Sequence, residues 1–109
     1  MSQVRATVQA GICGFLTELI ARADDEQQVQ FTIASPCANI QGLAAVLPAQ
    51  IDAYAELGMR LDGEIGDAAR ASRLCSGCIV PAALLKALQV ASGLALPANA
   101  SIALERLTD

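Results

Sequence analysis

The sequence predicts one α+β domain over residues 1–109, a small sheet of about three strands with helices packed on one face in two layers. Three observations carry that expectation. Residues 3–10 and 28–33 alternate apolar and polar side chains with period two, the signature of a half-buried strand. The segments after Cys37 and after Pro81 instead repeat their apolar residues at helical spacing. With 54% apolar and 17% charged residues in 109, the chain has material for one core and not for disorder.

The first strand places Val4, Ala6, Val8 and Ala10 on one side and Arg5, Thr7 and Gln9 on the other. Gly11 breaks it. Phe15, Leu16, Leu19, Ile20 and Ala23 then recur as one face of a helix over residues 14–23, which ends at the polar turn Asp24-Asp25-Glu26. The second strand sets Val29, Phe31 and Ile33 against Gln28, Gln30 and Thr32 until Ser35-Pro36-Cys37 stops it. Ile40, Leu43, Ala44 and Leu47 form the next helical stripe, closed by Pro48. The two strand–turn–cysteine–helix segments echo one another. Neighbouring strands joined by a helical crossover would run parallel and bring Cys13 and Cys37 out at one edge of the sheet.

Ile51, Tyr54, Ala55 and Gly58 mark a face of a middle helix, Asp62-Gly63 a break, and residues 64–73 an alanine-rich helix. Cys75-Ser76-Gly77-Cys78 leads into a last helix starting near Pro81, where proline is tolerated, with Leu84, Leu85 and Leu88 inward. Gly93 fits a left-handed cap, with Leu94 packed behind it and Pro97 preventing resumption. Residues 100–107 complete the expectation as a final strand, Ile102 and Leu104 on one face and Ala103 and Glu105 on the other.

Composition narrows the function. The net charge is −4 and the basic residues are scattered, so the basic stripe and stacking aromatics of nucleic-acid binding are missing. The stretch over residues 10–23 is interrupted by Thr17, Glu18 and Arg22, too short an apolar run for a membrane span or a secretory signal. The expected location is therefore the cytoplasm, where thiols stay reduced.

Histidine is absent, which removes Ser-His-Asp and Cys-His catalysis. Asp24-Asp25-Glu26 reads as a solvated turn, and Gly11 to Gly14 lacks the glycine fingerprint and lysine of phosphate-binding loops. The chemistry lies in four cysteines: Cys13, Cys37, Cys75 and Cys78. Each is expected at a helix start, where free N–H groups favour negative charge and so suit a thiolate. A reverse turn at Ser76-Gly77 would bring the last two sulfurs onto one ion.

Four thiolates satisfy zinc or an iron–sulfur cluster, and the favoured expectation is one metal site with Cys13, Cys37, Cys75 and Cys78 as ligands. Iron–sulfur ranks slightly ahead of zinc, because this chain has core enough to fold without a metal. Two alternatives stand beside it: a thiol redox protein cycling Cys75 and Cys78, and an interaction module whose cysteines only fill space. The face carrying Arg5, Thr7, Gln9, Gln30 and Thr32 would be solvated or pair with a second copy, and a metal centre could serve a larger protein partner.

Taken together, Cys13-Gly14-Phe15, Ser35-Pro36-Cys37 and Cys75-Ser76-Gly77-Cys78-Ile79-Val80-Pro81, followed by Gly93-Leu94-Ala95-Leu96-Pro97, resemble a group of small uncharacterised cysteine-containing proteins of mainly anaerobic prokaryotes. The resemblance implies a family and an anaerobic setting. It transfers no activity to any residue.

Overall fold

The computed structural model describes residues 2–58 and 61–109. The order of elements is β1 (Ser2–Gln9), β2 (Leu16–Ala23), β3 (Gln28–Ala34), α1 (Ala38–Val46), β4 (Ile51–Asp52), α2 (Ala53–Glu56), α3 (Glu64–Ala71) and α4 (Val80–Ala91). The α+β class and the two layers hold: one antiparallel sheet in the order β1-β2-β3-β4, with α4 lying across β1 and β2 and α1 against β3.

The largest departure from expectation is β2. The segment read as a helix over residues 14–23 is the central strand, pairing Thr7 with Glu18 on one side and Ala34 with Glu18 on the other. Its sequence fits both periods, since Leu16, Leu19, Ile20 and Ala23 are helically spaced while Thr17, Leu19, Ala21 and Ala23 alternate. The alternating set is the buried one. Leucine, alanine and glutamate favour helices by only tenths of a kcal/mol, roughly 0.7 at most across ordinary residues, so sheet burial on both flanks decides. The hairpin itself is set by Gly11 at φ 89° and Gly14 at φ 73°, with the Gly14 N–H bonded to the Gly11 carbonyl at 2.9 Å.

The polar turn after β2 lies where expected but closes a second hairpin. Asp24 Oδ1 accepts the N–H groups of Glu26 and Gln28, both at 2.9 Å, and Gln27 takes the left-handed conformation at φ 62°. Consequently β1 and β3 do run in the same direction, yet as the two antiparallel neighbours of β2 and not as a crossover pair.

The inward rows Val4, Ala6 and Val8 of β1, the alternating set of β2 and Val29, Phe31 and Ile33 of β3 meet the helices. Val80, Leu84, Leu88 and Ala91 recur at helical spacing along α4 and are buried, as are Ile40 and Leu43 of α1 and Ile65 of α3. Each fully buried leucine or isoleucine contributes roughly 1.5–3 kcal/mol relative to exposure. Pro81 falls in the first turn of α4, and the helix ends as read from the sequence. Gly93 stands at φ 77°, its N–H bonds the Val90 carbonyl at 3.1 Å, and the Leu94 N–H bonds the Gln89 carbonyl at 2.8 Å.

The middle helix is shorter than expected. Ile51-Asp52 pairs with Gln28-Val29 as β4, and Asp52 then caps the single turn of α2 by accepting the Tyr54 N–H at 2.9 Å. Among the described residues the strand expected over residues 100–107 has no partner. Residues 95–109 carry no regular secondary structure and every one is exposed.

Candidate functional site

Cys75 and Cys78 occupy the loop between α3 and α4. The Cys78 N–H donates to the Cys75 carbonyl at 3.0 Å, so Ser76-Gly77 form the reverse turn the C-x-x-C spacing suggested. A hydrogen-bonded turn of this kind holds its first and fourth Cα atoms within about 7 Å. That overlaps the window of about 4.4–6.8 Å in which two cysteines can be bridged. The two residues differ in exposure: Cys75 is open to solvent, whereas Cys78 is partly buried and rests on the core beside Ile79 and Leu74.

Both cysteines line an open groove of about 400 Å³ between α3 and α4, with Gly66, Ala69, Arg70, Pro81 and Ala82 among its other walls. Arg70 is held at this groove by two bonds, one to the Leu61 carbonyl at 2.9 Å and one to Asp67 Oδ1 at 2.6 Å. Arg70 belongs to no motif of the sequence. Its spacing of three from Asp67 within a helix is the signal that was available.

Cys37 is the N-cap residue of α1 and is partly buried, as the sequence suggested for a helix start. Its own N–H donates to Ser35 Oγ at 3.2 Å, its carbonyl accepts the Gln41 N–H at 3.0 Å, and Gln41 Nε2 reaches back to the Ser35 carbonyl at 2.9 Å. Ser35 Oγ also accepts the hydroxyl of buried Thr17 at 2.9 Å, which ties the start of α1 to the middle of the sheet.

Cys13 departs from expectation, because the segment behind it is β2. It sits in the β1–β2 hairpin loop, exposed, next to the fully exposed Ile12. Since β1 and β3 run the same way, Cys13 and Cys37 do leave the sheet at one end. All four cysteines are free thiols. Among the described residues no group of three or more cysteine, aspartate or glutamate side chains is gathered as a metal-ligand cluster. What the chain places together by itself is the Cys75/Cys78 pair.

A model of a family of unknown function (DUF6951) matches residues 4–104. The chain belongs to that family. The match runs from β1 past α4 into the exposed C-terminal segment, so all four cysteines fall within the DUF6951 region. Comparison with curated proteins and with solved structures finds no match. Among the described residues no helix is long and apolar enough to cross a membrane.

Proposed function

We propose that the chain is a small thiol redox protein whose working group is the Cys75/Cys78 dithiol. The observation that carries this reading is the turn joining them, closed by the 3.0 Å bond between the Cys78 N–H and the Cys75 carbonyl, in a groove that a partner can enter. Exposed Cys75 is the attacking thiol and part-buried Cys78 the resolving one. The Cys75 thiolate attacks a disulfide of the partner, forming a mixed disulfide and releasing one partner thiolate. The Cys78 thiolate then attacks Cys75 Sγ, closing the Cys75–Cys78 disulfide and releasing the second. Two electrons pass to the partner, which takes up two protons in place of its S–S bond. A cytoplasmic location, or the anaerobic setting implied by the motif resemblance, would keep the resting pair as the dithiol.

The second reading is four-thiolate ligation of an iron–sulfur cluster or zinc by Cys13, Cys37, Cys75 and Cys78. Its support is topological, in that Cys13 and Cys37 share one end of the sheet. Completing it requires those loops to close on the C-x-x-C turn.

One preparation tests both. The protein is purified without oxygen, its visible absorption and its iron and zinc content are measured, and its thiols are titrated against a glutathione redox series with alkylation and mass spectrometry. The redox reading expects a colourless, metal-free protein in which Cys75 and Cys78 titrate together as one two-electron couple, unchanged when Cys13 and Cys37 are both serine. Bound iron or zinc that is lost on Cys13→Ser or Cys37→Ser would overturn it in favour of the metal site.

A further inference from the structure

The C-terminal segment is apolar and unsupported. From residue 93 to 109 every residue is exposed, with Leu96 at 88%, Ile102 at 70%, Leu104 at 92% and Leu107 at 85%. Among the described residues the hydrogen bonds end with Leu94. The family match nevertheless extends to residue 104, so most of this segment belongs to the domain. Over residues 102–105 Ile102 and Leu104 alternate with Ala103 and Glu105, the pattern of a strand lacking a neighbour, and Leu107 falls on the Glu105 side.

The sheet offers a complementary edge. Among the described residues β1 is the outermost strand, eight residues long and paired on one side only, by β2. No proline, lysine or bulge blunts it, which leaves a free row of N–H and C=O groups that templates strand addition. Its inward residues Val4 and Ala6 are only half-covered, although Val8 in the same row is buried. Its single charge, Arg5, stands on the outward face.

We infer that residues 102–107 of one copy add as an antiparallel strand to β1 of a second copy, reciprocally, giving a closed two-fold dimer. Parity and charge fix the register. Setting Glu105 opposite Arg5 on the outward face places Ile102 opposite Val8 and Leu104 opposite Ala6 on the inward face, beside α4. Arg106 then falls opposite Val4 near the end of β1, where its long stem can lie on apolar surface with the guanidinium in water. A parallel register with the same ion pair would set Arg106 opposite Ala6 in mid-strand and Ile102 opposite Ser2, so the antiparallel one is selected. The exchange is between copies because the segment runs free of its own sheet, and two-fold symmetry satisfies both segments and both edges at once.

The test is sedimentation velocity of the full chain across a micromolar concentration series, with amide hydrogen exchange on the same samples. A dimer is expected, with slowed exchange at residues 102–106 that is lost on dilution. Ile102→Asp with Leu104→Asp should give a monomer of unchanged far-ultraviolet circular dichroism, since neither residue supports the monomer fold. Arg5→Glu and Glu105→Arg should each weaken the dimer roughly tenfold, and their combination should restore it. A full chain that stays monomeric at high micromolar concentration would overturn the proposal, as would a dimer unaffected by the Ile102/Leu104 variant. These readouts involve no cysteine, so they stand or fall apart from the dithiol.

Discussion

The carboxylate of Glu56 meets the backbone N–H of Ile65 at 2.9 Å, and through its other oxygen the N–H of Glu64 at 3.1 Å. A side chain from the end of α2 thus caps the start of α3, where Gly63, the N-cap residue, has no side chain to offer. The geometry explains the glycine: a Cβ at Gly63 would collide with Glu56 Oε2. Because Glu56 is only 5% exposed, removing it leaves two donors without a partner, that of Ile65 buried and that of Glu64 partly so. Glu56→Ala is expected to cost about 2–3 kcal/mol, a fall in Tm of roughly 10 °C or more. Glu56→Gln should lose less, since its amide oxygen still accepts one bond. Thermal and urea unfolding check both.

Two helical glycines should answer oppositely to the same substitution. At Gly42 in α1 a Cβ meets nothing within 4 Å, so Gly42→Ala trades backbone entropy for helix propensity and should stabilise by about 0.5–1 kcal/mol. At Gly66 in α3 the Cβ would run into the Leu61 carbonyl, which is backbone and cannot swing aside. Gly66→Ala should therefore destabilise, by about 1–3 kcal/mol. Equilibrium unfolding of the two variants in parallel decides the matter by sign alone.

Ser35 Oγ accepts from both Thr17 Oγ1 and the Cys37 N–H, which makes it the clamp between the sheet and the first turn of α1. Ser35→Ala strands the hydroxyl of Thr17, itself 1% exposed, and should cost about 1–3 kcal/mol. Adding Thr17→Val removes the orphaned hydroxyl at nearly constant shape and should recover part of that loss, which a double-mutant cycle measures. The Cys37 thiol should also alkylate faster in Ser35→Ala, with Cys75 unchanged.

The boundaries that the sequence revealed are those written in local chemistry. Pro81 in a first turn, Gly93 followed by Leu94, and Pro48 after Leu47 each act within a few residues, and α4 and α1 begin and end close to where those signals place them. The nature of residues 16–23 was not local. Their apolar set satisfies both periods, and the choice rests on pairing with β1 and β3 on both flanks and on burial under α4, which is distant in sequence. Reading Gly11 and Gly14 together as the flanks of a hairpin loop was the available clue. That one misassignment also misplaced Cys13, so three expected thiol-bearing helix starts became two. The turn between Cys75 and Cys78 was legible because its spacing is itself the turn. Glu56 was not, because nothing within α2 announces a partner nine residues away.

The four thiols should separate by exposure and then by pairing. Cys13 and Cys75 are open to solvent, whereas Cys37 and Cys78 are partly buried against the core, so a reduced sample treated with N-ethylmaleimide should label the first two several-fold faster. Mild oxidation before labelling should then remove one thiol from each set. If the C-x-x-C turn is a working dithiol, Cys75 and Cys78 drop out of the labelled set together while Cys13 retains its rate, and the peptide spanning α3 to α4 loses two mass units. Labelling of Cys75 that persists after oxidation, with Cys13 consumed into an intermolecular disulfide, would show that exposure rather than the turn governs this chemistry. Peptide-level mass spectrometry over a time course distinguishes the two patterns, because each cysteine reports its own rate.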